Sequence, residues 1–152
     1  MKNNLFIAAL VTMSLGGCAT VQYGSRDAEA DLQRLEPISG KVSLYVCREN
    51  AAFVGAGNRT GVVVDGEPIG TLKPNNFAHT VVEPGSHDIY LDQSPGGKSG
   101  THTIQTTAGD VAIVWAGMTG RGWGVLTVDD FPDRADAERC VRGAKYAVPA
   151  TN

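Results

Sequence analysis

Residues 61–91, GVVVDGEPIGTLKPNNFAHTVVEPGSHDIYL, constrain the fold more than any other part of the sequence. Short runs of apolar and β-branched residues alternate here with turn-forming residues, a pattern typical of successive β-hairpins. The valines at 62–64 end at Asp65-Gly66, a pair that tolerates positive φ and suits a tight hairpin turn. Residues 69–72 would be the return strand. The stretch therefore predicts antiparallel β-structure.

A second hairpin is predicted directly after the first. Residues 77–82 form its first strand, Glu83-Pro84-Gly85 turns the chain, and residues 86–91 return. In such a hairpin His79 would lie opposite Tyr90, while His87 would point to the other face.

Further strands are predicted on both sides of these hairpins. Residues 41–48 place Val, Leu and Val on one face and Ser, Tyr and Cys on the other, and residues 101–107 also alternate. Residues 111–116 are almost continuously apolar and are expected to be buried on both faces. Residues 125–128 would be the last strand. Seven or eight short strands separated by turns predict a mainly β fold, an antiparallel β-sandwich or small barrel.

A short helix is predicted near the N-terminus. Ser25 suits its N-cap, and Pro37 requires it to end by about Leu35. Ala28, Leu32 and Leu35 would share one face. The sequence leaves open whether this helix docks on the domain or belongs to a tether.

A second helix is predicted at the C-terminus, starting near Pro132. Acidic residues at its start and Arg142 and Lys145 near its end suit the helix dipole. Ala135, Cys140 and Ala144 are expected to face inward. The helix would pack on the sandwich or cover an edge strand.

The N-terminus predicts export. Lys2 precedes an apolar run over residues 5–15 that is too short to span a bilayer, as in a signal peptide. The run ends in Leu15-Gly16-Gly17-Cys18, which resembles the lipobox of bacterial lipoproteins, where cleavage leaves an acylated cysteine. The alternative is an ordinary signal peptide with an incidental cysteine. The predicted organisation is a signal peptide at 1–17, a lipidated N-terminus with tether and short helix at 18–40, and a β-sandwich domain with its terminal helix at 41–148.

Lipidation at Cys18 predicts an anchored protein that does not span the membrane. Each buried acyl CH₂ contributes about 0.8 kcal/mol, so several chains hold stably. Ala19 after the cysteine favours the outer membrane, by resemblance to enterobacterial sorting rules. Cleavage removes one lysine and no acid, which changes the formal net charge from −3 to −4. This acidic balance argues against nucleic-acid binding.

The two remaining cysteines, Cys47 and Cys140, predict a disulfide because an exported chain meets an oxidising compartment. The alternative is two buried free thiols. Neither cysteine lies in a CxxC motif or a Cys/His cluster, so a metal or catalytic role is not expected.

The runs KVSLYVCRE, VVVDGEPIGTLKPNNFAHTVVEPGSHDIYL and TTAGDVAIVW resemble a family of small bacterial lipoproteins of unknown function. The middle run is also similar to the PEGA-type domain of cell-envelope proteins, which implies a transthyretin-like sandwich. The resemblance covers about residues 41–117 and implies no chemistry, because its Asp-Gly and Pro-Gly pairs are explained by backbone geometry alone. Cys140 lies outside it, so the disulfide is not implied by the family.

The sequence shows no catalytic or cofactor-binding set. Gly96-Gly97-Lys98-Ser99 lacks the first glycine of a P-loop, since Asp92 stands there, and Gly55-x-Gly57 has no surrounding βαβ unit. There is no Gly-x-Ser-x-Gly elbow. A metal site made of the three histidines would be geometrically awkward. No metal, cofactor or catalytic residue is therefore predicted.

Two glycine-rich loops carry the candidate partner-binding residues, Phe53 in one (49–60) and Arg121 with Trp123 in the other (117–124). Exposed aromatics with arginine are typical of interfaces, although loop aromatics also fold back over a core. The leading hypothesis is a non-enzymatic outer-membrane lipoprotein that faces the periplasm and binds an envelope protein or glycan. The alternatives are an envelope hydrolase with an unrecognised site and a purely structural lipoprotein.

Overall fold

The computed structural model describes residues 20–50, 57–93, 97–119 and 125–150. Within these residues the chain forms ten strands and two helices. The elements in chain order are β1 (Gln22–Tyr23), α1 (Arg26–Leu32), β2 (Val42–Arg48), β3 (Thr60–Val64), β4 (Glu67–Leu72), β5 (Asn76–Val82), β6 (Gly85–Asp92), β7 (His102–Thr106), β8 (Val111–Thr119), β9 (Val125–Asp130), α2 (Arg134–Gly143) and β10 (Lys145–Val148).

The strands form two packed sheets. The larger sheet has the order β1-β10-β5-β2-β8-β9, and the smaller has the order β4-β3-β6-β7. The chain is therefore mainly β, a two-sheet sandwich with a C-terminal helix, as predicted. The sandwich is not wholly antiparallel, because β2 pairs with β8, and β5 with β10, in parallel.

Strand β2 lies in the middle of the larger sheet and every one of its residues is buried. Leu44 and Val46 pack in the core between the two sheets. Tyr45 and Cys47 pack in a second core on the opposite face of the sheet, beneath the helices. The predicted alternation is confirmed, and both faces are covered.

The first predicted hairpin is confirmed. Strands β3 and β4 pair through Val64 and Glu67 around a two-residue turn. Asp65 and Gly66 in this turn have φ values of 50° and 87°, in the left-handed region that Asp and Gly tolerate best. Further along β4, a Cβ on Gly70 would stand 2.9 Å from the carbonyl oxygen of Ala147, so glycine allows the two sheets to approach closely here.

The second predicted hairpin is wrong. Strands β5 and β6 belong to different sheets, since β5 pairs with β2 and β6 pairs with β3 and β7. The residues between them carry the chain from one sheet to the other. As a consequence His79 lies opposite Tyr45 instead of Tyr90. The reason is that Phe77 and Ala78 are fully buried on opposite faces of β5, so both faces of this strand need a covering layer; the larger sheet has one on each face, whereas β6 in the smaller sheet exposes its outer face.

Helix α1 docks on the domain. Its N-cap is Ser25, as predicted, and its Oγ accepts a hydrogen bond from the backbone N–H of Ala28 at 3.2 Å. The Tyr45 hydroxyl donates to the carbonyl oxygen of Leu32 at 3.0 Å, and the Gln33 amide donates to that of Ala144 at 2.9 Å. These contacts hold the helix on the outer face of the larger sheet.

Helix α2 is confirmed, with Asp133 as its N-cap. Ala137 and Val141 are its buried residues, and Ala144 at its end is buried as well. The expected inward position of Ala135 is wrong, because Ala135 is exposed. It precedes Ala137 by two residues, about 200° around the helix, so the two point in nearly opposite directions.

Two short strands, β1 and β10, were not predicted. Strand β10 follows α2 and lies between β5 and β1, so residues 125–128 are not the last strand. Strand β8 also runs to Thr119, past the predicted end at Ala116. Strands of two to four residues are too short for an alternation pattern to be recognised, and their pairing partners lie far away in sequence.

The predicted disulfide is present between Cys47 and Cys140, with Cα atoms 6.2 Å apart and a sequence separation of 93. It joins the central strand β2 to α2, inside the core beneath the helices. Its position fixes the helix on the sheet covalently.

We expect loss of this bond to lower the free energy of unfolding by about 2–5 kcal/mol, because the cross-link restricts the unfolded chain. The test is urea unfolding of the oxidised chain beside a variant carrying Cys47→Ala and Cys140→Ala. A variant with Cys18→Ala alone, assayed identically, controls for removal of a cysteine as such. A difference below about 0.5 kcal/mol would contradict a stabilising role.

Candidate functional site

The predicted lipidation and partner-binding residues, Cys18, Phe53, Arg121 and Trp123, lie outside the described residues. They remain predictions. The structure does describe the residues from which the two loops start, 49–50 and 117–119. The loops follow β2 and β8, two parallel neighbours in which Cys47 is opposite Trp115. Parallel strands run toward the same edge of a sheet, so both strands lead toward one edge, although β8 continues to Thr119, past the end of β2 at Arg48.

A cleft of about 300 Å³ opens at this edge of the larger sheet. It is formed beside the middle of β8, where β2 and β9 end and α2 begins, and it combines carboxylates with aromatic rings. Its lining residues are Glu49, Trp115, Asp129, Asp130, Phe131, Pro132 and Asp136. Glu49 and Trp115 also line an adjoining hollow of about 180 Å³ beside the loop stems. The cleft therefore adjoins the described stems of the two predicted binding loops.

Each carboxylate of the cleft is positioned by local structure. Glu49 accepts a hydrogen bond from the Trp115 indole N–H at 3.1 Å, which holds the ring against the carboxylate. Asp136 lies in the first turn of α2, and its backbone N–H donates to the Asp133 cap at 2.8 Å. Asp129 accepts from the backbone N–H of Asp130 at 2.9 Å.

The charge in the cleft is mainly negative. Among the described residues, one cation, Arg139, forms an ion pair with a carboxylate of the cleft, and its partner is Asp136. Four carboxylates around an apolar ring create a negative potential in a partly desolvated space. An aromatic face next to carboxylates is the environment that ammonium and guanidinium groups prefer. The arrangement can bind a cationic group, and sequence reasoning missed it because its members are up to 87 residues apart along the chain.

A serine–histidine pair bears on the hydrolase alternative. The Ser43 hydroxyl and His79 Nε2 are 2.9 Å apart on β2 and β5. Burial lowers the pKa of His79 to about 4, so its imidazole is neutral at pH 7. Ser43 is only 1% exposed, however, and among the described residues no carboxylate forms a hydrogen bond to His79. A nucleophile has to reach its substrate, so this pair is a satisfied polar contact in the outer core.

His87 forms a buried clamp that the sequence did not reveal. Its Nδ1 lies 2.7 Å from Oδ2 of Asp65, and its Nε2 lies 2.7 Å from the carbonyl oxygen of Glu83. Both partners are acceptors when Asp65 is ionised, so the cationic ring, in which both nitrogens donate, satisfies both contacts. Asp65 also accepts the backbone N–H of Asp88 at 2.9 Å. Backbone geometry alone therefore does not explain Asp65, whose carboxylate ties the β3–β4 turn to β6.

The clamp shifts the pKa values of both partners. Burial by itself would lower the pKa of His87, but the hydrogen bonds to Asp65 and Glu83 and the charge of Asp65 raise it above its ordinary value. Burial would likewise raise the pKa of Asp65, but its hydrogen bonds with His87 and Asp88 and the His87 charge lower it. Each charge therefore stabilises the other.

The three histidines are not brought together. His79 contacts Ser43, His87 contacts Asp65, and His102 lies 3.1 Å from a carboxylate oxygen of Asp130. The structure therefore keeps the three histidines apart, although the hairpin from which their separation was argued does not form.

Comparison with known proteins identifies no relative: no protein-family model, no curated protein and no solved structure matches this chain. Within the described residues, neither helix has the length and apolar character needed to cross a bilayer. The function proposed below therefore rests on the geometry of the described residues and on the N-terminal sequence.

The His87 clamp predicts a stability difference that depends on pH. The raised pKa of His87 contributes stability that is complete below its ordinary value of 6.5 and is lost as the pH rises through the folded value. The lowered pKa of Asp65 contributes stability that is complete above 3.8 and is lost as the pH falls through the folded value. We expect His87→Gln to lower the free energy of unfolding by about 1.5–3 kcal/mol at pH 5.5, the usual contribution of hydrogen bonds to a charged group, and by less at pH 3 and pH 9.

The measurement is urea unfolding of both proteins across this pH range. His79 is present in both, so its own titration cancels in the difference. Glu67→Gln, an exposed carboxylate beside the same turn, is the matched control and should show no such profile. A His87→Gln effect that is the same at every pH would show that the ring acts by packing alone.

Proposed function

We propose that this chain is a lipid-anchored cell-envelope protein, held at the outer membrane through Cys18 and facing the periplasm. The Leu-Gly-Gly-Cys sequence at the end of an apolar leader supports the anchor. The disulfide between Cys47 and Cys140 supports an oxidising compartment, because such bonds persist in exported proteins. The two-sheet sandwich is compatible with the resemblance to PEGA-like envelope domains.

We further propose that the domain is a non-enzymatic binding module whose ligand is a cationic group of an envelope partner. The observation that carries this proposal is the cleft, in which Glu49 accepts the Trp115 indole N–H and Asp129, Asp130 and Asp136 line the same space. A lysine or arginine side chain, or the amine of an aminosugar, would meet carboxylates on several sides and an aromatic face. The buried position of Ser43 gives no support to a hydrolytic function.

The loops with Phe53, Arg121 and Trp123 would extend this binding surface, since their stems adjoin the cleft. Removing residues 117–124 as a block would not test this idea, because β8 pairs with β9 as far as Thr119 and Val125. Substitution of Arg121 and Trp123 by alanine leaves that pairing in place and is the better test of the loop.

The anchor predicts the mass of the protein purified from membranes. We expect the mass of residues 18–152 plus acyl chains, with two thiols that react with an alkylating agent only after reduction. Intact-mass spectrometry with and without reductant measures both. A Cys18→Ser variant is the control and should remain unlipidated and uncleaved. An unlipidated mass for the native sequence would contradict the anchor without bearing on the cleft.

The cleft predicts preferential binding of cationic peptides. We expect a short lysine-containing peptide to shift the Trp115 indole N–H resonance of the full chain in detergent, and a peptide with glutamate in place of lysine to leave it unshifted. Glu49→Gln and Asp136→Asn should each weaken binding by about 2- to 5-fold, the usual range for exposed ion pairs. Added salt should weaken it further.

Trp115→Phe assigns the indole resonance, and Glu67→Gln, an exposed carboxylate on the distant β3–β4 turn, is the control for net charge. If Glu67→Gln weakened peptide binding equally, the net charge of the protein, and not the cleft, would explain the effect. Equal binding of the lysine and glutamate peptides would eliminate the cleft as a cation site.

A further inference from the structure

We infer that His102, Asp129 and Asp130 form a binding site for a divalent transition-metal ion of the Zn²⁺ or Mn²⁺ class. The site lies where the edge strands of the two sheets meet. His102 is the first residue of β7, at the edge of the smaller sheet, and the two aspartates end β9, at the edge of the larger sheet. No local sequence pattern predicts this site, because the histidine and the aspartates are 27 and 28 residues apart.

The ligand atoms converge. His102 Nε2 is 3.1 Å from Oδ1 of Asp130, and these atoms and a carboxylate oxygen of Asp129 all lie within 4.8 Å of one another. Ligand atoms around one tetrahedral ion lie about 3.3 Å apart. The ligand atoms of His102 and Asp130 are already near this spacing. The Asp129 side chain is exposed and has room to move closer to both of them.

The convergence of the two aspartates is unusual for a strand. Consecutive strand residues normally point to opposite faces, yet Asp129 turns back to accept the backbone N–H of Asp130 at 2.9 Å. Two carboxylates held close together repel each other. In the part of the chain that the structure describes, neither forms an ion pair with a lysine or an arginine. A bound cation would relieve this repulsion.

The ligand set defines the class of ion. An imidazole nitrogen with two carboxylates suits Zn²⁺, Mn²⁺ and similar ions, whereas Ca²⁺ and Mg²⁺ prefer oxygen ligands alone. Three protein ligands leave further coordination positions for water or for a group from a partner. The ion would link the edges of the two sheets.

This inference does not depend on the proposed function, although two residues are shared. Asp129 and Asp130 also line the cleft, so a bound ion would reduce its negative charge. Glu49, Trp115 and Asp136 belong to the cleft but not to the metal site, while His102 belongs to the metal site but not to the cleft. Variants can therefore separate the two sites.

The test is calorimetric titration of the full chain, untagged and in mild detergent, with ZnCl₂, and with MgCl₂ for comparison. We expect one Zn²⁺ per chain and much weaker Mg²⁺ binding. His102→Gln keeps a donor for Asp130 but removes the imidazole ligand, and it should weaken Zn²⁺ binding by about 10-fold or more, as should Asp130→Asn. Zn²⁺ should also raise the melting temperature of the native chain and leave that of His102→Gln almost unchanged.

Glu67→Gln is the matched control for loss of an exposed carboxylate and should bind Zn²⁺ like the native chain. Circular dichroism verifies that each variant is folded. Asp129→Asn takes the place of any variant that fails to fold. Among the described residues, the Asp129 side chain accepts only one backbone N–H, so this substitution disturbs the fold little. Absence of saturable Zn²⁺ binding would overturn the inference. Binding that His102→Gln leaves intact but Glu49→Gln or Asp136→Asn abolishes would also overturn it, and would place the ion in the cleft instead.

Discussion

Strand β2 buries every one of its residues, so both of its faces need a covering layer. Between the sheets, its inward side chains meet the smaller sheet. On the opposite face, Tyr45 and Cys47 meet the helices, and here packing is reinforced by the Tyr45 hydrogen bond to α1 and by the disulfide to α2. The two-core architecture follows from this strand, since apolar side chains on either face remain in water until another layer removes them.

The placement of β2 also determines where function can arise. Strand β2 ends at Arg48, while its parallel neighbour β8 continues to Thr119, so the residues that follow β2 lie beside the middle of β8. Strand β9 runs antiparallel to β8 and ends at Asp130, opposite Val114 and so also beside the middle of β8, and α2 starts a few residues later. Glu49, Trp115 and Asp136 meet there for this reason. The cleft is thus a consequence of where β2 and β9 end, because Glu49, Asp129 and Asp130 lie at or just after these strand ends, beside Trp115 in the middle of β8.

Polar side chains elsewhere in the domain are held by specific partners. The cationic His87 ring lies between a carboxylate and a carbonyl, and the neutral His79 ring lies next to a serine hydroxyl and the Tyr45 ring. These two histidines have opposite pKa shifts because one faces acceptors and the other faces mostly apolar surroundings. The cleft differs from both, since its carboxylates have partners as well but line a space that is open to solvent.

Local features of the chain were predictable from the sequence. The Asp65-Gly66 hairpin, the Ser25 cap and the alternation in β2 depend on neighbouring residues and on intrinsic backbone preferences, which are readable in short windows. The disulfide was predictable because only two cysteines remained after the proposed lipidation site. The candidate partner-binding loops, in contrast, were predicted from composition alone, and their residues lie outside the part that the structure describes.

Only the tertiary structure decided which strands pair and which side chains meet. Glu83-Pro84-Gly85 reverses the chain equally well within one sheet or between two, and the burial of Phe77 and Ala78 on opposite faces of β5 selected the second. The His87 clamp, the cleft and the His102 cluster each join residues from distant segments. Their formation depends on how sheets stack and strands align, and these are properties of long-range packing that no local pattern encodes.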